Sequence, residues 1–176
     1  MKIKNLKRFL KGTAKDESGV ATLEFVLTVP LIITLMFSTI ESGILLVQQM
    51  MLDRALDVNV RQLRLGANMT QSELATAICD EAAIIADCNA SITLELIVID
   101  KVNWNMPTTN AACYNRQEDI APVTSYGAGI DSDLMLVRAC VIVDPLFPLL
   151  GMGKAMAETN NGDFNITARS AFVNEP

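Results

Sequence analysis

Histidine is absent from these 176 residues. That excludes a Ser-His-Asp triad and any metal centre built on imidazole. None of the four cysteines, Cys79, Cys88, Cys113 and Cys140, stands in a C-x-x-C pair, so the common zinc spacings are missing as well. No G-x-x-x-x-G-K-[ST] loop and no Gly-rich dinucleotide loop occurs, which leaves nucleotide phosphates without a cradle. Aromatic residues make up only 5% of the chain. Basic residues are scarce beyond residue 19, where eight stand against eighteen acidic ones, a balance of −10. An acidic domain with few stacking rings is not expected to bind nucleic acid. The neighbouring carboxylates Glu118 and Asp119, and Asp131 and Asp133, fall in a polar stretch and read as solvated surface rather than as an acid–base pair. Calcium at Asp131-Ser-Asp133 is the weaker alternative. No catalytic constellation, cofactor or metal is therefore expected, and the chain reads as non-enzymatic.

What the chain does have is a 21-residue apolar run, Val20 to Ile40, interrupted by one charge, Glu24. As a helix it would cover roughly 30 Å, the thickness of a bilayer's hydrocarbon core. Residues 1–19 carry six Lys and Arg against Asp16 and Glu17, a balance of +4. Basic residues concentrated beside a membrane helix place that side in the cytoplasm. The expected layout is a basic cytoplasmic leader (1–19), a transmembrane helix (20–41) and an exported domain (42–176). The chain would be a single-pass membrane protein with its N-terminus inside and its domain on the far side. A cleavable secretory signal fits less well, because the run is long and its far end reads F-S-T-I-E-S-G rather than A-x-A. Pro30 removes one helical hydrogen bond, and a local kink is expected there. Glu41 reads as the boundary residue where the helix leaves the lipid.

Helical spacing continues past the run. Ile44, Val47, Met51, Leu52, Ala55, Leu56 and Leu63 recur at three and four residues, with Gln48, Gln49, Asp53, Arg54, Asp57, Arg61 and Arg64 on the other side, until Gly66 stops the helix. The apolar stripe could pack on its own domain, on neighbouring helices, or on both. Thr70-x-x-Glu73 has the form of a capping box and opens a second helix expected to end near Ala86. Ser91 to Asp100 alternates with period two, a strand; Leu134 to Val143 and Phe164 to Val173 are two more. Lys101 to Ser132 reads mainly as loop. Asp144 and Pro145 suit the start of a short helix carrying Leu146, Leu149, Leu150 and Met152. The fold class is α+β: a long N-terminal helix, then a small, largely antiparallel three-stranded sheet covered on one face by that helix, with one or two extra helices. Four cysteines in an exported domain predict two disulfides, with three possible connectivities. Cys79 with Cys88 and Cys113 with Cys140 is the favoured pairing, since the first closes a short loop after the second helix and the second ties the long loop to the middle strand.

The segment Gly19-Val20-Ala-Thr-Leu-Glu24-Phe25, of the form G-x-x-x-x-E-[FY], directly precedes the apolar run. It is similar to the processing motif of type IV and Flp-type prepilins. With the following V-L-T-V-P-L-I-I, the later T-I-E-S-G and the terminal A-R-S-A-F-V-N-E-P, the chain resembles the TadE family of pseudopilins from tight-adherence (Flp) pilus systems. The resemblance implies a minor pilin or pseudopilin needed to build an adhesive pilus. A membrane prepilin peptidase would cut after Gly19, Val20 would become the new N-terminus, and Glu24 the fifth residue of the mature chain. The implied partners are the lipid bilayer, the prepilin peptidase, other pilins or pseudopilins and the pilus assembly machinery. The competing expectation is an uncleaved envelope or pilus-assembly platform protein, anchored permanently and acting as a partner-binding module.

Overall fold

The computed structural model describes residues 20–109, 111–116, 122–158 and 164–175. Helix α1 runs from Val20 to Arg64 without a break. It closes at Gly66, which sits at φ 88° while its N–H reaches Leu63 O and the N–H of Ala67 reaches Gln62 O. These paired bonds satisfy carbonyls that the helix end would otherwise leave open, and the left-handed backbone is one that glycine adopts without penalty. Helix α2, Gln71–Glu81, begins with a reciprocal cap in which the Thr70 hydroxyl accepts from Glu73 N–H and the Glu73 carboxylate accepts from Thr70 N–H. It stops short of the expected Ala86. The chain turns over residues 82–87, ending at Asp87 with φ 50°, and a single helical turn, α3 (Cys88–Ser91), brings Cys88 back to bond Cys79.

Strands β1 (Thr93–Ile99), β2 (Leu134–Val143) and β3 (Phe164–Val173) form one antiparallel sheet in the order β1-β2-β3. Helix α4, Gly151–Ala157, lies in the connection between β2 and β3. The α+β architecture expected from the sequence is the one observed. One face of the sheet presents Leu94, Leu96, Val137, Ala139, Val141, Ile166, Ala168 and Phe172 to Leu52, Ala55, Leu56 and Leu63 of α1 and to Leu74 and Ile78 of α2. Each fully buried aliphatic side chain of this kind contributes about 1.5–3 kcal/mol.

The other face is covered by the long loop after β1. Cys113 is disulfide-bonded to Cys140 at the centre of β2. The Thr93 hydroxyl donates to Ala112 O, and Arg138 donates through Nη1 to Thr109 O at 2.6 Å. Arg138 also forms an ion pair with Glu95, its cross-strand neighbour, and both side chains are 10% exposed. Farther along, Leu96 N–H donates to Ser125 O and Gly127 N–H to Leu96 O, so this loop also lines the outer edge of β1. The loop is thus a strap over the face of β1 and β2 that the helices leave open.

Along α1 the buried residues are Glu41, Gln48, Leu52, Ala55, Leu56, Asn59, Val60 and Leu63. Gln48 lies on the packed face and Val47 on the exposed one, the reverse of the expected assignment. Counting back by sevens from Ala55 gives Gln48 and then Glu41, so the packed face keeps its phase and accepts two polar residues. Glu41 is 2% exposed and belongs to the domain's interior rather than to a solvated boundary.

Candidate functional site

From Val20 to Ile40 the side chains of α1 are exposed, apart from half-buried Val29, Phe37 and Ser38. This stretch is long and apolar enough to cross a membrane. Four of its hydroxyls are satisfied within the helix: Thr28 donates to Glu24 O, Thr34 to Pro30 O, Ser38 to Thr34 O and Thr39 to Met36 O, and just beyond it Ser42 donates to Ser38 O. Such back-bonding lets a helix carry Ser and Thr in an apolar medium without exposing an unpaired donor. The helix remains continuous through Pro30.

Of the expected processing residues, Gly19 lies outside the described residues. Val20 opens α1, and Glu24 and Phe25 follow in its first turns, exposed. Among the described residues no side chain pairs with the Glu24 carboxylate. These residues stand apart from the domain, since Glu24 and Glu41 are separated by roughly 25 Å of helix at 1.5 Å per residue. The cysteines do not join them; they form Cys79–Cys88 and Cys113–Cys140, the pairs favoured from the sequence, and brace the domain.

At the other end of the apolar run, the chain leaving β2 is clasped against α1. The Glu41 carboxylate accepts from Leu146 N–H at 2.8 Å and from Phe147 N–H at 3.0 Å. The rings of Phe37 and Phe147 lie 4.5 Å apart at 57°. Ser38 Oγ accepts from Met152 N–H at 3.2 Å, and the Ser42 hydroxyl contacts Met152 Sδ. Close approach depends on two glycines. A Cβ on Gly151, which has φ 52°, would collide with Ser38 Oγ, and one on Gly153 would collide with Phe147 O. Pro145 does not start the expected helix: Pro148 disfavours helical backbone at Phe147 before it, the Leu146 and Phe147 amides bind Glu41, and α4 begins only at Gly151. This collar was not foreseen. Its signal was Glu41 itself, an acid two heptads before the buried Ala55.

A cleft of about 470 Å³ lies at the far end of the domain, lined by Met69, Thr70, Leu96, Tyr126 and Phe172 among others. The Tyr126 hydroxyl donates to Met69 O at 2.8 Å. Burial pushes the Tyr126 phenol up, and the charge on Glu73 adds to this. The Glu73 carboxyl is held below its usual range by the Thr70 backbone N–H and then by the Thr70 hydroxyl. Asp100 is lowered by the N–H of Val102 and the side chain of Asn103. These carboxylates cap turns and helix ends, as does Asp133, which accepts from Ile130 N–H. Among the described residues no three His, Cys, Asp or Glu side chains gather around a possible metal position.

The model of the TadE-like protein family matches residues 19–58. The match starts at Gly19, covers the exposed apolar stretch and Glu41, and ends within the packed half of α1. No curated protein and no solved structure matches the chain.

Proposed function

On the premise of a TadE-like segment over residues 19–58, we propose that this protein is a non-enzymatic minor pilin or pseudopilin of a tight-adherence pilus. It is inserted in the bacterial inner membrane with its N-terminus in the cytoplasm, is cut after Gly19 by a prepilin peptidase, and takes part in building the filament. The observation that carries this reading is the Gly19-x-x-x-x-Glu24-Phe25 pattern placed where a bare apolar helix begins, well away from the domain. A helix of this kind acts by packing among similar helices while the domain is displayed outward. Glu24 fits the role. A carboxylate at the centre of a membrane helix costs about 2.5–3.5 kcal/mol and less toward the interface, so a cationic partner is favoured. The α-amine freed at Val20, its own or a neighbour's, supplies one.

Mass spectrometry of the protein from cells carrying the peptidase tests the proposal. A chain beginning at Val20 is expected, and an intact Met1 or a cut elsewhere overturns the processing step. The uncleaved platform reading shares the topology and differs at Gly19. Replacing Gly19 with a bulky residue would block maturation of a pilin and leave a permanent anchor unaffected.

A further inference from the structure

We propose that the collar Pro145–Met152 is seated in the bilayer, in the leaflet at the Ile40 end of α1, so that the domain contacts lipid through two elements rather than one. This rests on the reading of Val20–Ile40 as the membrane span. Depth is the first argument. Gly151 approaches the backbone carbonyl of Thr34 and the side chain of Ser38, and at 1.5 Å per residue these positions lie about 3 to 9 Å inside the end of the span. Elements that lie along a membrane surface bury their apolar face about 5–10 Å deep.

Composition is the second argument. Leu146, Leu149, Leu150 and Met152 are exposed, Leu149 by 83%, although they sit within a segment otherwise fastened to α1. Four large apolar side chains clustered in one short segment of a water-facing loop would be an exposed patch without a function. Beside the span they continue its apolar surface.

Backbone pairing is the third. Irregular chain enters hydrocarbon only where its amides are satisfied by protein. Pro145 and Pro148 carry no N–H. Of the six amides from Leu146 to Met152, four are satisfied by protein: Leu146 and Phe147 donate to Glu41, Leu150 to Phe147 O, and Met152 to Ser38 Oγ. Lys154, exposed on α4 just beyond, is placed to reach the headgroups.

The test uses full-length protein in phosphatidylcholine vesicles containing lipids brominated at shallow or deep acyl positions. Trp104, the sole tryptophan, is exposed at the end of the sheet opposite the collar, roughly 30 Å away by strand length. Two single-tryptophan variants are made on a Trp104→Phe background, Leu149→Trp and Leu27→Trp. The expected result is blue-shifted emission from Leu149→Trp with stronger quenching by shallow than by deep bromines, quenching of Leu27→Trp, and none of Trp104 in the unmodified protein. A quenched Leu27→Trp with an unquenched Leu149→Trp overturns the collar proposal and leaves the span intact. A blue-shifted but unquenched Leu149→Trp means that a second copy covers the collar, which also overturns it. If neither variant is quenched, the span fails and the collar with it.

Discussion

Glu41 binds the backbone of Phe147 across 106 positions of sequence, its carboxylate 3.0 Å from the Phe147 amide and 2.8 Å from that of Leu146. One buried side chain therefore anchors the connection between β2 and β3 to the long helix. Replacing Glu41 with Ala leaves two amides without an acceptor, at about 1–3 kcal/mol each. Glu41→Gln keeps one carbonyl acceptor and is expected to lose roughly half as much. Urea unfolding of the detergent-solubilised protein measures both, and equal losses would show that the single carbonyl oxygen left by Gln stabilises nothing on its own.

Three glycines give predictions of opposite sign. Gly153→Ala forces a Cβ against the carbonyl of Phe147, which is backbone and cannot swing aside, so about 1–3 kcal/mol is lost. Gly151→Ala meets Ser38 and must also hold a left-handed φ of 52°, a conformation that by itself costs about 1–2 kcal/mol. Gly43 lies inside α1 with open space around its Cα, so Gly43→Ala is expected to stabilise the protein by about 1 kcal/mol through helix propensity. Thermal melts of the three variants in one detergent check the order.

The sheet and its main helix were legible because period-two and period-3.6 patterns each span enough residues to be unambiguous, from Thr93 to Ile99 and from Leu52 to Leu63. Gly66 and the Thr70–Glu73 cap marked their boundaries because their backbone chemistry is local. What escaped was non-local. Gln48 and Glu41 look solvent-facing by polarity, and only the placement of the β2–β3 connection buries Glu41. Pro145 has the right neighbours for a helix start, but Pro148 disfavours helical backbone at Phe147, and the segment is held instead by a carboxylate from a distant part of the chain. The strap over Glu95 and Arg138 was equally hidden, since its residues between Lys101 and Ser132 have no periodicity, and only the Cys113–Cys140 bond pointed to where they lie.

The two disulfides should differ in worth. Cys79 and Cys88 are nine positions apart and Cys113 and Cys140 are 27 apart. Loop-closure entropy assigns about 2.5 kcal/mol to the shorter and about 3.5 to the longer. The second also fastens the strap over the buried Glu95–Arg138 pair, which adds to its effect. Paired Cys→Ala variants are expected to rank accordingly in denaturant midpoint. A larger loss from the Cys79–Cys88 pair would mean that the turn before β1, not the strap, limits stability.

Stability should fall off at both extremes of pH for different reasons. Glu73 has its carboxyl lowered by Thr70 from a usual value of 4.5. The stabilisation it gives is complete above 4.5 and disappears as pH falls through the lower folded value. Tyr126 shifts the other way from 10.0, raised by burial. Its share is complete below 10.0 and is lost as pH rises through the folded value, because the unfolded chain ionises first. Glu73→Gln should flatten the acid limb of a stability–pH curve and leave the alkaline limb in place. Tyr126→Phe should flatten the alkaline limb and also lower the plateau by about 1 kcal/mol for the lost hydrogen bond to Met69. Chemical denaturation at intervals across both limbs separates them, and a Tyr126→Phe curve that still fell above pH 10 would assign the alkaline loss to another group.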